Sequence, residues 1–244
     1  MRVKLIVAYD GTAYHGWQIQ PGAPTIEGEL NQCLSELLKE KIQVIGASRT
    51  DSGVHALCNV AVFDTSTHIP PEKISYALNQ RLPQDIRIQS SEEVAADFHP
   101  RHCGSRKTYE YRILNRPFPL PTKRLYAYFT YVPLDVDKMR QAAAWLIGEH
   151  DFKSFCSPAA AVESTVRTIY DLTVEKEQEE IVIRVCGNGF LYNMVRIIAG
   201  TLMEAGRGNI DPRKVKEIIA ARDRQAAGPT APACGLTLVK YEFL

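Results

Sequence analysis

The sequence has no cysteine pair at C-x-x-C spacing and no cysteine–histidine cluster at zinc spacing. Its six cysteines, Cys33, Cys58, Cys103, Cys156, Cys186 and Cys234, are scattered. Neither a disulfide framework nor a structural metal site is therefore indicated, and reduced thiols in a cytosol are the simplest reading. No run reaches the roughly 18 apolar residues of a membrane span. The longest nearly apolar window, Phe190 to Met203, falls short and contains Arg196. The opening MRVKLIVAYD turns polar too soon for a secretory signal and is expected to be a strand alternating Val3, Leu5 and Val7. An excess of one charge is lacking too: 29 Lys and Arg stand against 28 Asp and Glu, a formal net charge of +1, so global charge does not advertise a polyanion binder. There is no G-x-S-x-G elbow, phosphate-binding G-x-x-x-x-G-K-[ST] loop, H-E-x-x-H helix or dinucleotide fingerprint. An enzyme built on this chain is expected to work with side chains alone, without metal or cofactor.

What is present is a pattern of strand pairs alternating with helices. A strand at 2–9 leads through a Gly- and Pro-rich loop to a helix from Thr25 to about Lys41, with Ile26, Leu30, Cys33, Leu34, Leu37 and Leu38 as its apolar stripe. A short strand (Gln43 to Ile45), a turn, a strand (Asn59 to Phe63) and the helix PPEKISYALNQRLP complete a first half, 1–97. The second half, 98–244, reads as strands TYEYRILN and RLYAYFTY, a helix from Val136 to Ile147, and strands VRTIYDLTVEKE and EEIVIRVCG. Helices from Gly189 to Glu204 and Pro212 to Arg222 and a closing strand LTLVKYEF follow. The pattern predicts an α+β fold in which two related halves share a largely antiparallel sheet flanked by helices, with a cleft between them. The Pro-containing stretches Arg116–Pro121 and Ser157–Val162 are the expected mobile loops.

Chemistry gathers at GASRTDSGVHALCNVAVF, Gly46 to Phe63, where Arg49, Thr50, Asp51 and His55 fall within seven residues. An Asp followed by Ser-Gly is an ordinary turn signature; the company of a guanidinium and an imidazole is what makes Asp51 a candidate catalytic carboxylate. His55 reads as a structural histidine, with a general base as the alternative. Arg196, set in an apolar helix, needs an anionic partner or an escape to solvent. Asp51 is the candidate partner, because a nearby cation holds a carboxylate ionised. Between His99 and Arg124, seven Lys and Arg face the single acid Glu110, interleaved with Tyr109, Tyr111 and Phe118. That mixture suits RNA bases and phosphates, and equally a solvated strand edge.

Taken together, YDGTAYHGWQIQP, TIEGELNQCL, SRTDSGVHA, DFHPR, KTYEYRI, DFKSFC, GNGFLYNMVRIIAGTL and AGPTAPACGLTLVKYEF resemble the tRNA pseudouridine synthase A family nearly end to end. The resemblance implies the pseudouridine synthase fold and an isomerase that detaches a uracil from its ribose in tRNA, rotates it and reattaches it through carbon 5. It implies action on the anticodon arm at positions 38 to 40, as a homodimer without metal. By the same resemblance Asp51 begins glycosidic cleavage, Arg49 helps displace the target nucleotide, Tyr109 stacks on the base, and Arg196 pairs with the aspartate.

The sequence departs from the family pattern beside the turn. Ser48 stands in a glycine place, and Cys58-Asn59 stand where Gly-Gln is usual. A positive φ at 48 would strain a serine by about 1 kcal/mol or more. A catalytically silent RNA-binding paralogue and a hydrolytic nucleosidase using the same carboxylate are the alternatives.

Overall fold

The computed structural model describes residues 1–158 and 163–244. The expected loop Ser157–Val162 lies mostly outside the described residues. The fold is α+β, with five α-helices and mixed, largely antiparallel strand pairing among the described residues. It divides into two compact units: Met1–Ser105 with Leu238–Leu244, and Arg106–Thr237.

The first unit is built on β1 (Arg2–Tyr9), whose residues Val3, Leu5, Val7 and Tyr9 alternate into the core. Helix α1 (Ile26–Leu38) starts where Thr25 Oγ1 accepts the Gly28 N–H at 3.2 Å. It ends earlier than expected, because Lys39 turns left-handed at φ 57°. Strand β2 is only Ile45–Gly46, whereas β3 (His55–Asp64) is longer than the sequence suggested and takes in His55. β1 pairs antiparallel with β3, and β2 adds to β3 at Ile45↔Val62 and Gly46↔Ala61. Helix α2 (Pro71–Asn79) covers β4 (Ile86–Val94), which pairs antiparallel with β1. Strand β4 was not expected. Its outer half, QSSEEV, carries little apolar alternation, and it is fixed by side chains instead. Asn79 exchanges two hydrogen bonds with the Ile88 main chain, and Ser91 Oγ accepts from Ser75 N–H and donates to the Pro71 carbonyl.

The second unit centres on β5 (Ser105–Asn115), of which Ser105 belongs to the first unit. Strand β6 (Tyr128–Thr130) is much shorter than expected because the preceding residues form turns in which the Tyr126 and Ala127 N–H groups donate to the Lys123 carbonyl, and it lies parallel to β5. Helix α3 (Val136–Ala144) stops short of Ile147, and Gly148 at φ 108° opens the unexpected strand β7 (Gly148–Asp151). β8 (Val166–Glu177) and β9 (Glu180–Gly187) form a hairpin, giving the antiparallel order β5-β9-β8-β7. Helix α4 (Met194–Arg207) starts five residues later than expected, after Asn193 in the left-handed region at φ 61°. Its Met194, Val195, Ile198 and Leu202 are buried, each fully covered aliphatic side chain contributing about 1.5–3 kcal/mol. A 3-10 turn at Pro212–Lys214 precedes α5 (Val215–Ala221), and β10 (Leu236–Phe243), which from Leu238 onward belongs to the first unit, closes the chain.

Candidate active site

The Asp51 turn of the first unit is irregular backbone, and its polar groups are satisfied one by one. Val54 N–H donates to the Asp51 carbonyl at 3.1 Å, closing a turn whose third residue, Gly53, sits at φ 76°. Trp17 N–H donates to the Thr50 carbonyl at 3.0 Å, and Gly53 N–H to the Tyr14 carbonyl at 3.2 Å. The YDGTAYHGW loop therefore grips the turn from outside. His55 is buried, with Nδ1 at 3.1 Å from both the Gly11 nitrogen and Asp10 Oδ1. It ties the same loop to β3, which is the structural role read from the sequence. Asp51 is half-buried and Arg49 is exposed.

Behind the turn, Ser48 and Asn59 meet. Ser48 N–H donates to Asn59 Oδ1 at 3.2 Å, and Asn59 Nδ2 donates to the Ser48 carbonyl at 3.0 Å. Ser48 is not among the residues with positive φ, so the strain expected of a serine here is absent. Burial pushes the Cys58 thiol up to about 11, which keeps it protonated and unreactive beside the turn.

In the second unit, Tyr109 lies on β5, only 8 % exposed, with Phe190 edge-on at 5.3 Å and 90°. Burial and this edge contact restrict the orientations open to its ring. Arg196 falls in the first turn of α4 rather than mid-helix. Its Nε donates to the Ala231 carbonyl and its Nη1 to Asn193 Oδ1, both at 2.7 Å. The 228–232 segment lies against α4 because residue 200 is glycine: a Cβ there would stand 1.8 Å from the Pro229 carbonyl oxygen. The next residue, Pro232, accepts from the Tyr111 hydroxyl at 2.8 Å, so one segment connects the arginine to β5. Burial raises the Tyr111 phenol far above its ordinary range against the pull of the Arg196 charge.

The basic midsegment is less free than its sequence implies. Arg112 pairs with Glu110 and Glu180, each at 3.0 Å, Lys123 with Glu180 at 2.7 Å, and Arg116 with Glu179 at 2.8 Å. Glu179 and Glu180 come from the β8–β9 hairpin, distant in sequence, whereas Glu110 is on β5 itself. Arg106 instead lies over the Tyr170 ring at 4.8 Å. Among the described residues no group of three or more His, Cys, Asp or Glu is placed to hold a metal ion, and no helix is long and apolar enough to cross a membrane.

The model of a family described as tRNA pseudouridine synthase matches residues 5–102 and 142–243. The chain belongs to that family. Within the tRNA pseudouridine synthases, it is 49% identical over 241 residues to tRNA pseudouridine synthase A of Thermoanaerobacter sp. (strain X514), covering 99% of each chain. It is 50% identical over 237 residues to the protein of that name from Brevibacillus brevis, covering 97% of each. To that of Bacillus subtilis (strain 168) it is 47% identical over 240 residues, covering 98% of this chain and 97% of the other. Arg49 and Asp51 fall in the first matched segment and Arg196 in the second, whereas Tyr109 falls in neither. Local sequence does not mark Tyr9, Thr50 and Asn59 around the turn, or Asn193 and Ala231 around Arg196, as supports. The one signal it carries is Asn59, a departure from the family pattern.

Proposed function

We propose that this chain isomerises uridine to pseudouridine in the anticodon stem-loop of tRNA, at positions 38 to 40, with Asp51 as the catalytic carboxylate. Isomerisation of tRNA uridine is the activity of the family, and near-complete alignment with synthases of that name supports carrying it to this chain. The observation that carries the site assignment is the Asp51 turn: a half-buried aspartate whose main chain is held at Thr50, at its own carbonyl and at Gly53, beside an exposed arginine.

A stacked uridine is out of reach, so it must be extruded at a cost of a few kcal/mol. Arg49, exposed and two residues from Asp51, is the side chain proposed to fill the gap. Tyr109 is proposed to receive the uracil face, and Arg196 to hold the carboxylate ionised. The C1′–N1 bond breaks, the uracil turns, C1′ bonds to C5, the C5 proton leaves, and N1 ends protonated. We further propose a cytoplasmic homodimer in which one chain holds the body of the tRNA while the other modifies it.

The silent-paralogue reading leaned on Ser48 and Cys58. With Ser48 outside the left-handed region and Cys58 a shielded thiol, no observation favours it. Mass analysis of digested tRNA after incubation with the chain tests the proposal. An unchanged nucleoside mass with an altered fragment pattern at one of positions 38 to 40 is expected. Free uracil and an abasic site would instead establish hydrolysis.

A further inference from the structure

A carboxylate on irregular backbone needs its main chain fixed by something other than a strand ladder. The β2–β3 ladder ends with Ala47 N–H donating to the Val60 carbonyl at 2.8 Å. Beyond that point a side chain continues it. The Asn59 carboxamide is a peptide group in shape and polarity, and it pairs with both main-chain groups of Ser48 at 3.2 and 3.0 Å. Its remaining valences are also used: Oδ1 accepts from Val60 N–H at 2.9 Å, and Nδ2 donates to Tyr9 Oη at 3.2 Å. Two donors and two acceptor sites are therefore all engaged, and Asn59 is fully buried.

The chain of contacts runs on to the residue before Asp51. Tyr9 Oη and Thr50 Oγ1 lie 2.7 Å apart. Either hydroxyl can donate in this contact; with Asn59 donating to the Tyr9 oxygen, the arrangement that gives the Tyr9 O–H a partner is donation to Thr50. Burial holds the Tyr9 phenol well above its ordinary range, so that donor persists at any working pH. Thr50 is gripped at its side chain by Tyr9 and at its carbonyl by Trp17, and the Asp51 carbonyl is gripped by Val54. A buried and fully satisfied network of this kind specifies one arrangement and makes the alternatives expensive.

We propose that Tyr9, Asn59 and Thr50 are positioning residues for the Asp51 carboxylate, with the Asn59 carboxamide extending the β3 ladder around the corner so that the catalytic turn has one geometry. The proposal rests on the reading of Asp51 as the catalytic group. It requires that loosening the network cost turnover rather than RNA binding, since none of the three side chains is exposed to meet the substrate.

The test compares Thr50→Val, Thr50→Ser, Asn59→Leu and Asp51→Asn in the full chain, following release of tritium from 5-tritiated uridine in unmodified tRNA, with circular dichroism as a check on folding. Thr50→Val keeps the shape and removes the acceptor for Tyr9. It is expected to lower kcat by about ten- to a hundredfold, the range that misplacement by up to about 1 Å costs, with KM within about twofold of the parent by the same reasoning. Thr50→Ser restores the hydroxyl and is expected to recover most of kcat. Asn59→Leu, where folded, is expected to match or exceed the Thr50→Val loss; Thr50→Val carries the test if Asn59→Leu does not fold. Parental kcat in Thr50→Val with Asp51→Asn inactive would overturn the positioning proposal alone. So would a loss seen only in KM, or one that Thr50→Ser fails to recover. Turnover by Asp51→Asn would overturn both the proposal and the reading beneath it.

Discussion

Asn59 holds the main chain of Ser48 from both sides, accepting its N–H at 3.2 Å and donating to its carbonyl at 3.0 Å. The two residues that depart most plainly from the family's turn pattern are thus hydrogen-bonded partners. The contact uses only the Ser48 backbone. The buried Ser48 Oγ has no hydrogen-bond partner among the described residues.

That arrangement gives a sign test for the backbone at Ser48. In the right-handed or extended regions Ala is expected to be more stable than Gly by about 0.4–1 kcal/mol, through unfolded-state entropy. Urea unfolding of Ser48→Ala and Ser48→Gly is expected to show that order. The reverse order would place residue 48 in the left-handed region.

Arg196 is fixed by charge-assisted bonds to Ala231 and Asn193, each of a kind worth about 1.5–3 kcal/mol. Arg196→Met is expected to fold with stability lowered by about 2 kcal/mol, allowing for partial compensation by water. It is expected to be nearly inactive, with the Asp51 pKa above that of the parent, as carboxyl NMR titration would read. An unchanged Asp51 pKa in the folded variant would remove the proposed ion pair.

The same arginine is sensitive to a residue it does not touch. A Cβ at Gly200 would stand 1.8 Å from the Pro229 carbonyl oxygen, a backbone atom that cannot rotate away. Gly200→Ala is expected to cost about 1–3 kcal/mol by overpacking and to displace the segment that holds Arg196. Lower stability by urea unfolding, together with lower turnover, is the expected pair of results. A variant with parental values of both would mean that segment is not held there.

Glu180 gives an acid limb to stability. Burial alone would raise its carboxyl, but hydrogen bonds from Lys123 and Arg112 prevail and hold it below the ordinary carboxylate value. A depressed folded-state pKa means stabilisation that is complete above the unfolded value and lost as pH falls through the folded one. Glu180→Gln is therefore expected to be less stable than the parent near neutrality, with the difference shrinking as the solution is acidified below the ordinary carboxylate range. A difference that grows on acidification would contradict the assignment.

The sequence made local features readable and long-range ones not. Alternation in β1, the start of α1 at Thr25 and the bounds of β8 and β10 all follow from patterns within a few residues, and the structure reproduces them. β4 escaped notice because Ser75, Asn79 and Ser91 fix it through polar side chains that carry no periodic signal. The late start of α4 depends on the left-handed backbone of Asn193, which apolar patterning does not reveal. At the site, Asp51 and Arg49 were legible as an unusual turn. The ladder-extending role of Asn59 was not, since it depends on where Ala47 falls opposite Val60. Similarly, the basic midsegment looked free because Glu179 and Glu180, which neutralise part of it, lie more than 50 residues downstream.

The most direct test of Asp51 as the group that starts glycosidic cleavage is tritium release from 5-tritiated uridine in unmodified tRNA, run with the parent chain and Asp51→Asn side by side, with tRNA binding measured for both. Release by the parent alone, with equal binding, is the expected result. Release at the parental rate by Asp51→Asn would contradict the catalytic assignment, and binding by the parent without release from any of several tRNAs would contradict isomerisation itself.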